Sequence, residues 1–260
     1  MNDFFANLDS LARVGLSVVL VAVAAAISRW QKADLEKDIF IAVVRSFIQL
    51  IAVGYALEIV FQVDHPLLTL AITGVQLLIA AWTSGNRAKR TPNGHLIALV
   101  SIFIGTALTL TTLVVLGVFA FEPSDVVPIG GMIIGNAMAT CTLVVTNLSK
   151  DLIDQRNLVE TKLALGADSR EATRGQLRRA IRNGMVRIID TTKTIGLIKL
   201  PGAMTGMILA GASPLQAVQL QMIVMYMLIG ANAFTGLTAA YLVYKAFFTP
   251  YEQLKAVSGG

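Results

Sequence analysis

Seven long apolar stretches, divided by short polar connections, leave this chain few ways to fold. They cover about residues 11–28, 39–61, 67–84, 95–121, 129–148, 184–210 and 214–248. A bilayer core about 30 Å thick is crossed by about 20 apolar residues in a helix. Each stretch is close to that length or above it. Inside lipid only helices and closed barrels satisfy every backbone group. No stretch alternates with a period of two, which argues against a barrel. The expected fold is an all-α integral membrane bundle of about seven transmembrane helices, a single transmembrane domain spanning residues 1–260.

Composition agrees. Of the 260 residues 55% are hydrophobic and only 14% charged, against roughly 25% charged in soluble domains. The net charge of +5 does not point to nucleic acid, because the basic residues cluster between apolar stretches, as in loops at an anionic membrane face. The single cysteine, Cys141, excludes an internal disulfide. The leader carries Asp3 and Asp9 and no positive charge, so the first stretch reads as a retained helix and not a secretory signal.

The distribution of Lys and Arg sets an orientation. Arg29, Lys32 and Lys37 fall in the first connection, Arg87, Lys89 and Arg90 in the third, and eight basic residues in or beside the fifth. The remaining connections hold no Lys or Arg. The positive-inside rule puts the N-terminus outside and the C-terminus inside. The inner (plasma) membrane is the expected location.

The fifth connection, residues 150–183, is the longest, and it keeps helical periodicity through Ala164. Gly166 marks a helix stop. Asp168 with Glu171 has the spacing of a capping box opening a second, Arg-rich helix. The connection therefore reads as a helix-turn-helix. Glu160, Leu163, Ala164 and Ala167 share one helical face. Such a face suits docking in a cleft of another protein, with Gly166 permitting the turn out. The same pattern serves a surface helix packed on its own bundle.

Other motifs carry less. Pro201 interrupts the sixth stretch and predicts a kink. Gly202 and Gly206 form a G-x-x-x-G, which permits close helix packing, and a hinge there would suit alternating access. In the fifth stretch Gly131 and Gly135 flank Met132, and Asn136, Met138 and Cys141 follow. Met138 and Cys141 are soft candidate metal ligands, although Asn in membranes commonly bonds across helices and Met commonly fills gaps. Arg45 and Gln49, one turn apart in the second stretch, are intramembrane polar groups and default to a functional reading. Asp190 and Lys193, early in the sixth stretch, share that default, with an interfacial position near the cytoplasm as the plain alternative. His65 and His95 fall at opposite ends of the bundle and cannot share a metal. No catalytic constellation and no phosphate-binding loop is present. Any ATP that drives the chain must be hydrolysed by another one.

Four separated segments together resemble one family: residues 45–50 (RSFIQL), 131–138 (GMIIGNAM), 160–167 (ETKLALGA) and 200–209 (LPGAMTGMIL). The chain resembles the FetB/YbbM permeases, membrane subunits of ABC-type systems linked to bacterial iron export, with plant aluminium-tolerance permeases as relatives. The resemblance implies a permease subunit with no cofactor of its own, served by a cytoplasmic ABC ATPase that carries ATP and Mg. It implies a homodimer in the lipid bilayer and a small transported substrate, iron first and a nucleotide sugar second. Glu160, Leu163, Ala164, Leu165, Gly166 and Ala167 would be the coupling helix, with Thr161 and Lys162 where importer loops carry alanines. Met132, Asn136, Met138 and Cys141 would line the pathway. The alternatives are a secondary transporter or channel using Arg45, Glu58 and Asp190, or a membrane scaffold.

Overall fold

The computed structural model describes residues 15, 18–31, 34–63, 65–198 and 200–255. Part of the first apolar stretch (11–14, 16 and 17) and the Gly-Gly tail lie outside them. The chain divides into two compact units, Met1–Val63 and Asp64–Gly260. The first holds α1 (Val18–Trp30) and α2 (Glu36–Val63). The Ser28 hydroxyl accepts from the Leu35 amide at 3.1 Å across the turn. Glu36 and Asp38 in the first turn of α2 suit the positive helix end. Arg45 and Gln49 lie one turn apart on α2.

The second unit holds α3 (Pro66–Arg87), α4 (Gly94–Val115), α5 (Pro123–Asp154), α6 (Arg156–Ala164), α7 (Ser169–Thr194), α8 (Gly202–Leu209) and α9 (Pro214–Phe247). The described residues form no strand beyond isolated bridges. Helices α5 and α9 occupy the middle of this unit. The α3–α4 hairpin packs on one side of them, α7 on the other, and α8 leans on α9. Start signals are local: Pro opens α3, α5 and α9. Ser213 and Gln216 close a reciprocal capping box on α9.

Five helices, α2 to α5 and α9, are long and apolar enough to cross a membrane among the described residues. The sixth expected span is different. Its first part belongs to α7, which runs unbroken from Ser169 through Thr194, and its last part is the eight-residue α8. The proposed Arg-rich surface helix and the start of the span are thus one helix. Pro201 is not a kink inside a helix but the N-cap of α8, because its fixed φ and missing amide hydrogen suit a helix start. A Cβ on Gly202 or Gly206 would meet nothing within 4 Å. The close packing that their spacing permits is therefore not made among the described residues.

Packing in the second unit depends on small residues and threonines. A Cβ on Gly105 of α4 would overlap Thr235 Oγ1 and lie 3.0 Å from the Ala231 carbonyl oxygen. On Gly184 of α7 it would sit 2.5 Å from Val144 Cγ2. The Thr140 hydroxyl donates to Asn232 Oδ1 at 2.9 Å and faces the Gly184 carbonyl at 3.3 Å. That group ties α5 to α9 and α7. Thr142 donates to Ser84 at 3.0 Å, and Thr91 pairs with Ser149 at 2.6 Å. Each interhelical bond of this kind stabilises by about 0.6–2 kcal/mol.

The Gly105 contact yields a prediction. Gly105→Val forces apart α4 and α9, an overpacking cost of about 1–3 kcal/mol, and lowers the Tm of the detergent-solubilised chain by several degrees. Gly175→Ala, in open space on α7, leaves Tm unchanged or slightly raised. Thermal unfolding followed by circular dichroism compares the two.

Candidate functional site

Two hydrogen bonds define one end of the second unit. Thr91 with Ser149 brings Arg87, Lys89 and Arg90 to the level of Lys150, and Arg179 Nε reaches Asp151 Oδ2 at 3.3 Å. This is the basic end. Asn136 lies about 20 Å along α5 from Ser149 and about 20 Å from Pro123 at the other end, at 1.5 Å per residue. It therefore sits at mid-membrane depth.

Asn136 holds a charge there. Arg187 Nη2 donates to Asn136 Oδ1 at 3.2 Å, while the Asn136 Nδ2 donates to the Met132 carbonyl at 2.9 Å. Arg187 is exposed on this flank of α7 and forms no ion pair among the described residues. A guanidinium has five N–H donors, so one bond leaves most of them open. An arginine at the bilayer centre costs at least about 2.5–3.5 kcal/mol against lipid tails. The flank must meet water or polar groups instead.

The rest of α7 fits that requirement. Asp190 and Lys193 follow Arg187 at helical spacing and are exposed. Of the two readings open for them, the position near the basic interface is the one the course of α7 disfavours. They lie about 5–9 Å beyond Arg187, away from the basic end, because α7 already begins at Ser169 and has reached mid-depth by Arg187. Beyond Thr194 the helix breaks, and Leu197, Ile198 and Leu200 are largely exposed. Non-helical backbone at membrane depth is tolerated where it is buried in protein or lines a watery cavity.

The predicted pathway residues separate by face. Asn136, which meets Arg187, is half-buried and Gly135 beside it exposed, while the half-buried Met132 packs against the cluster of Ile129, Ile133 and Ile188. Gly131 packs against the Gln76 amide, 3.5 Å from where its Cβ would stand. Cys141, nine residues beyond Met132, points to the opposite side of α5 and is wholly buried with Ala80, Ala137 and Val145. Met138 packs on the same core. The soft pair thus faces inward, and among the described residues no three His, Cys, Asp or Glu side chains converge as a metal site. His65 caps α3, accepting from the Leu67 amide, while His95 bonds Asn86 at the other end of that helix.

The corner between α6 and α7 has the expected turn. The amides of Gly166 and Ala167 bond back to Leu163 and Lys162, and Gly166 takes φ +93°. This is a glycine-dependent helix stop. Asp168 then caps α7 through the Glu171 amide at 2.6 Å. Glu171 does not complete the box but pairs with Arg174 at 3.4 Å. The presented face differs from the one read from spacing. Leu163 and Ala167 pack inward on the core, and with Glu160 they line a cavity of about 400 Å³ against Tyr251–Leu254. Ala164, Leu165 and Gly166 are exposed, with Leu158 and Thr161 beside them, and Leu165 keeps 83% of its surface. The C-terminal segment braces the corner. Arg156 pairs with Glu160 at 2.7 Å and donates to the Leu254 and Lys255 carbonyls. Glu252 accepts from the Ser169 amide at 3.2 Å.

Five apolar helices of spanning length define a multi-pass membrane protein. The family described as "Uncharacterised protein family (UPF0014)" matches residues 11–248, and the chain belongs to it. It is 41% identical to "Protein ALUMINUM SENSITIVE 3" of Arabidopsis thaliana, over 98% of this chain and 96% of the relative. It is 43% identical to "UPF0014 membrane protein STAR2" of Oryza sativa subsp. japonica, over 92% and 84%. It is 38% identical to "Probable iron export permease protein FetB" of Escherichia coli (strain K12), over 98% and 97%. No solved structure matches the chain.

Arg187 is the residue that sequence reading missed. It stands five residues after Arg182, inside the sixth apolar stretch, and was not singled out there. The open flank is checked by labelling. Gly135→Cys, in a Cys141→Ala background, reacts with a membrane-impermeant maleimide about 10-fold faster than Cys141 does in the native chain, since an accessible thiol ionises and a buried one does not. Equally slow reaction at both places the flank against lipid.

Proposed function

We propose that this chain is the membrane-spanning permease subunit of an ATP-driven transporter, energised by a separate ATPase. The observation that carries the transport reading is Arg187 at mid-depth, bound to Asn136 and open on its other side. A water-lined path beside α5 and α7 accounts for it, and a lipid-facing surface does not. The broken α7–α8 segment supports the same reading, because interrupted helices are a recurring device of transporters. Two copies with their α7 flanks facing would enclose the path, so a homodimer is the expected unit.

The orientation follows from charge. The basic end faces the cytoplasm by the positive-inside rule, with the N-terminus outside and the C-terminus inside, in the plasma membrane. The α6–α7 corner then projects into the cytoplasm. It docks on the ATPase through Leu158, Thr161, Ala164, Leu165 and Gly166, while Glu160, Leu163 and Ala167 fix the corner to its own chain. A push on the corner passes directly into α7, because α7 starts at Ser169 and carries Arg187 on the same rigid helix. ATP and Mg belong to the partner, and this chain contributes no catalytic group. Met132, Asn136 and Gly135 are the pathway contacts. Met138 and Cys141 support that wall from behind and reach a passing ion only after α5 moves. Iron export is the leading activity, in line with the name of the Escherichia coli relative.

A second reading, proton-coupled transport, draws on Asp190, an ionisable group beside the same flank. ATP depletion separates the two.

Docking is tested by co-purification from native membranes in mild detergent. The native chain brings down a soluble ATPase in near-stoichiometric amount. Leu165→Glu reduces the capture about 10-fold or more, the scale of losing a central apolar anchor. Cys141→Ala, far from the corner, leaves it intact. An ATPase captured equally by native and Leu165→Glu chains removes the corner from the interface.

A further inference from the structure

A second feature of α7 lies outside the transport path. Arg170, Arg174, Arg178 and Arg182 repeat every four residues, so they form one stripe along the start of the helix. They border a groove of about 1080 Å³ between α7 and α9. Its floor is apolar, made of Leu177, Ile181, Leu237 and Ala240, with Tyr241 at the side. The acidic groups of the groove are engaged at its far end: Asp168 caps α7, and Glu171 holds Arg174. Arg178 and Arg182 are exposed and have no ion pair among the described residues.

Depth makes this stripe more than a solvated helix face. Arg179 reaches Asp151, next to Lys150, so Arg178 and Arg182 stand level with the basic α3–α4 loop at the membrane boundary. Toward mid-membrane the same α7–α9 face carries an apolar strip before the exposed Asp190 and Lys193 of α7 are reached. Val186 and Ile189 on α7 and Phe234 and Leu237 on α9 are each 38–56% exposed. A Cβ on Gly230 of α9 would meet nothing within 4 Å. Guanidinium groups at headgroup height, continuous with an apolar strip at acyl-chain height, match one ligand chemistry. Arg binds phosphate oxygens through paired N–H donors, and basic pockets between membrane helices bind anionic headgroups.

We propose that the α7–α9 groove binds an anionic phospholipid, its phosphate held by Arg178 and Arg182 and its chains laid along Leu237, Phe234 and Ile189. Because the lipid would rest on the helix that joins the α6 corner to Arg187, its occupancy sets how freely α7 moves.

Native mass spectrometry of the purified full chain tests this, with phosphatidylglycerol and phosphatidylcholine of identical chains added in turn. Phosphatidylglycerol adducts should be retained about 10-fold more than phosphatidylcholine, the scale of a charge-assisted contact. Arg178→Gln with Arg182→Gln should bring the two lipids to parity, and the corresponding Lys pair should keep part of the preference. Lys89→Gln with Arg90→Gln, at the same height elsewhere, should change nothing. Equal retention of both lipids by the native chain overturns the proposal. So does undiminished phosphatidylglycerol retention by the Gln pair, including the case where that pair instead dissociates a dimer. Competition by glycerophosphate alone would mark a phosphate site without a lipid, and also overturns it. If the Gln pair fails to fold, Leu237→Trp in an otherwise native chain gives a second reading. Bromine-labelled chains should quench its added fluorescence more strongly on phosphatidylglycerol than on phosphatidylcholine, and equal quenching contradicts the proposal.

Discussion

A guanidinium at the depth of Asn136 is the constraint around which the second unit is arranged. Lipid tails cannot solvate it, and one amide oxygen at 3.2 Å satisfies only one of its donors. The helix that carries it is too polar to count among the apolar spans, yet it packs along α5 and α9 through Gly184, Ile188 and Thr192. The apolar contacts fix where α7 sits, and Arg187 fixes what its free side must face. The break after Thr194 has the same consequence, since its Leu197 and Ile198 side chains are largely uncovered among the described residues.

The scaffold that holds α7 in place is made of close approaches more than of bulk. Gly105 against Thr235, Gly184 against Val144, and Thr140 between Asn232 and Gly184 bring α4, α5, α7 and α9 together at backbone distance. Without a hydrophobic drive between helices in lipid, such contacts and hydrogen bonds supply association. Because α7 continues past the basic end to the corner at Gly166, displacement at the corner and displacement at Arg187 belong to one rigid rod. The C-terminal segment, bound to both Arg156 and Ser169, limits how that corner bends.

Length and hydropathy made α2, α3, α4, α5 and α9 readable, because each is a single apolar run with ordinary start signals. Gly166 and Asp168 were readable for a similar reason: a glycine stop and an Asp cap are local chemistry. The course of α7 was not. An Arg-rich surface helix and the start of an apolar stretch read as two elements where the structure has one continuous helix, and Pro201 looked like a kink because nothing local reveals that the helix has already ended at Thr194. Facing direction was also illegible. Met132 and Cys141 lie in one stretch, and only packing against Ala137 and Val145 tells that Cys141 turns inward. Leu163 and Ala167 fit a docking stripe by spacing, but the core claims them and leaves Leu165 outside.

Arg187→Leu puts the central claim to the test most directly. If Arg187 faced lipid, leucine would suit the position better than arginine does. Iron accumulation into inverted membrane vesicles, driven by added ATP, should fall about 10-fold or more in this variant, the scale of a lost charged contact in the path. The variant should still capture the ATPase, and Arg187→Lys should keep part of the activity. Transport by Arg187→Leu at the native rate would contradict a pathway along the α5–α7 flank.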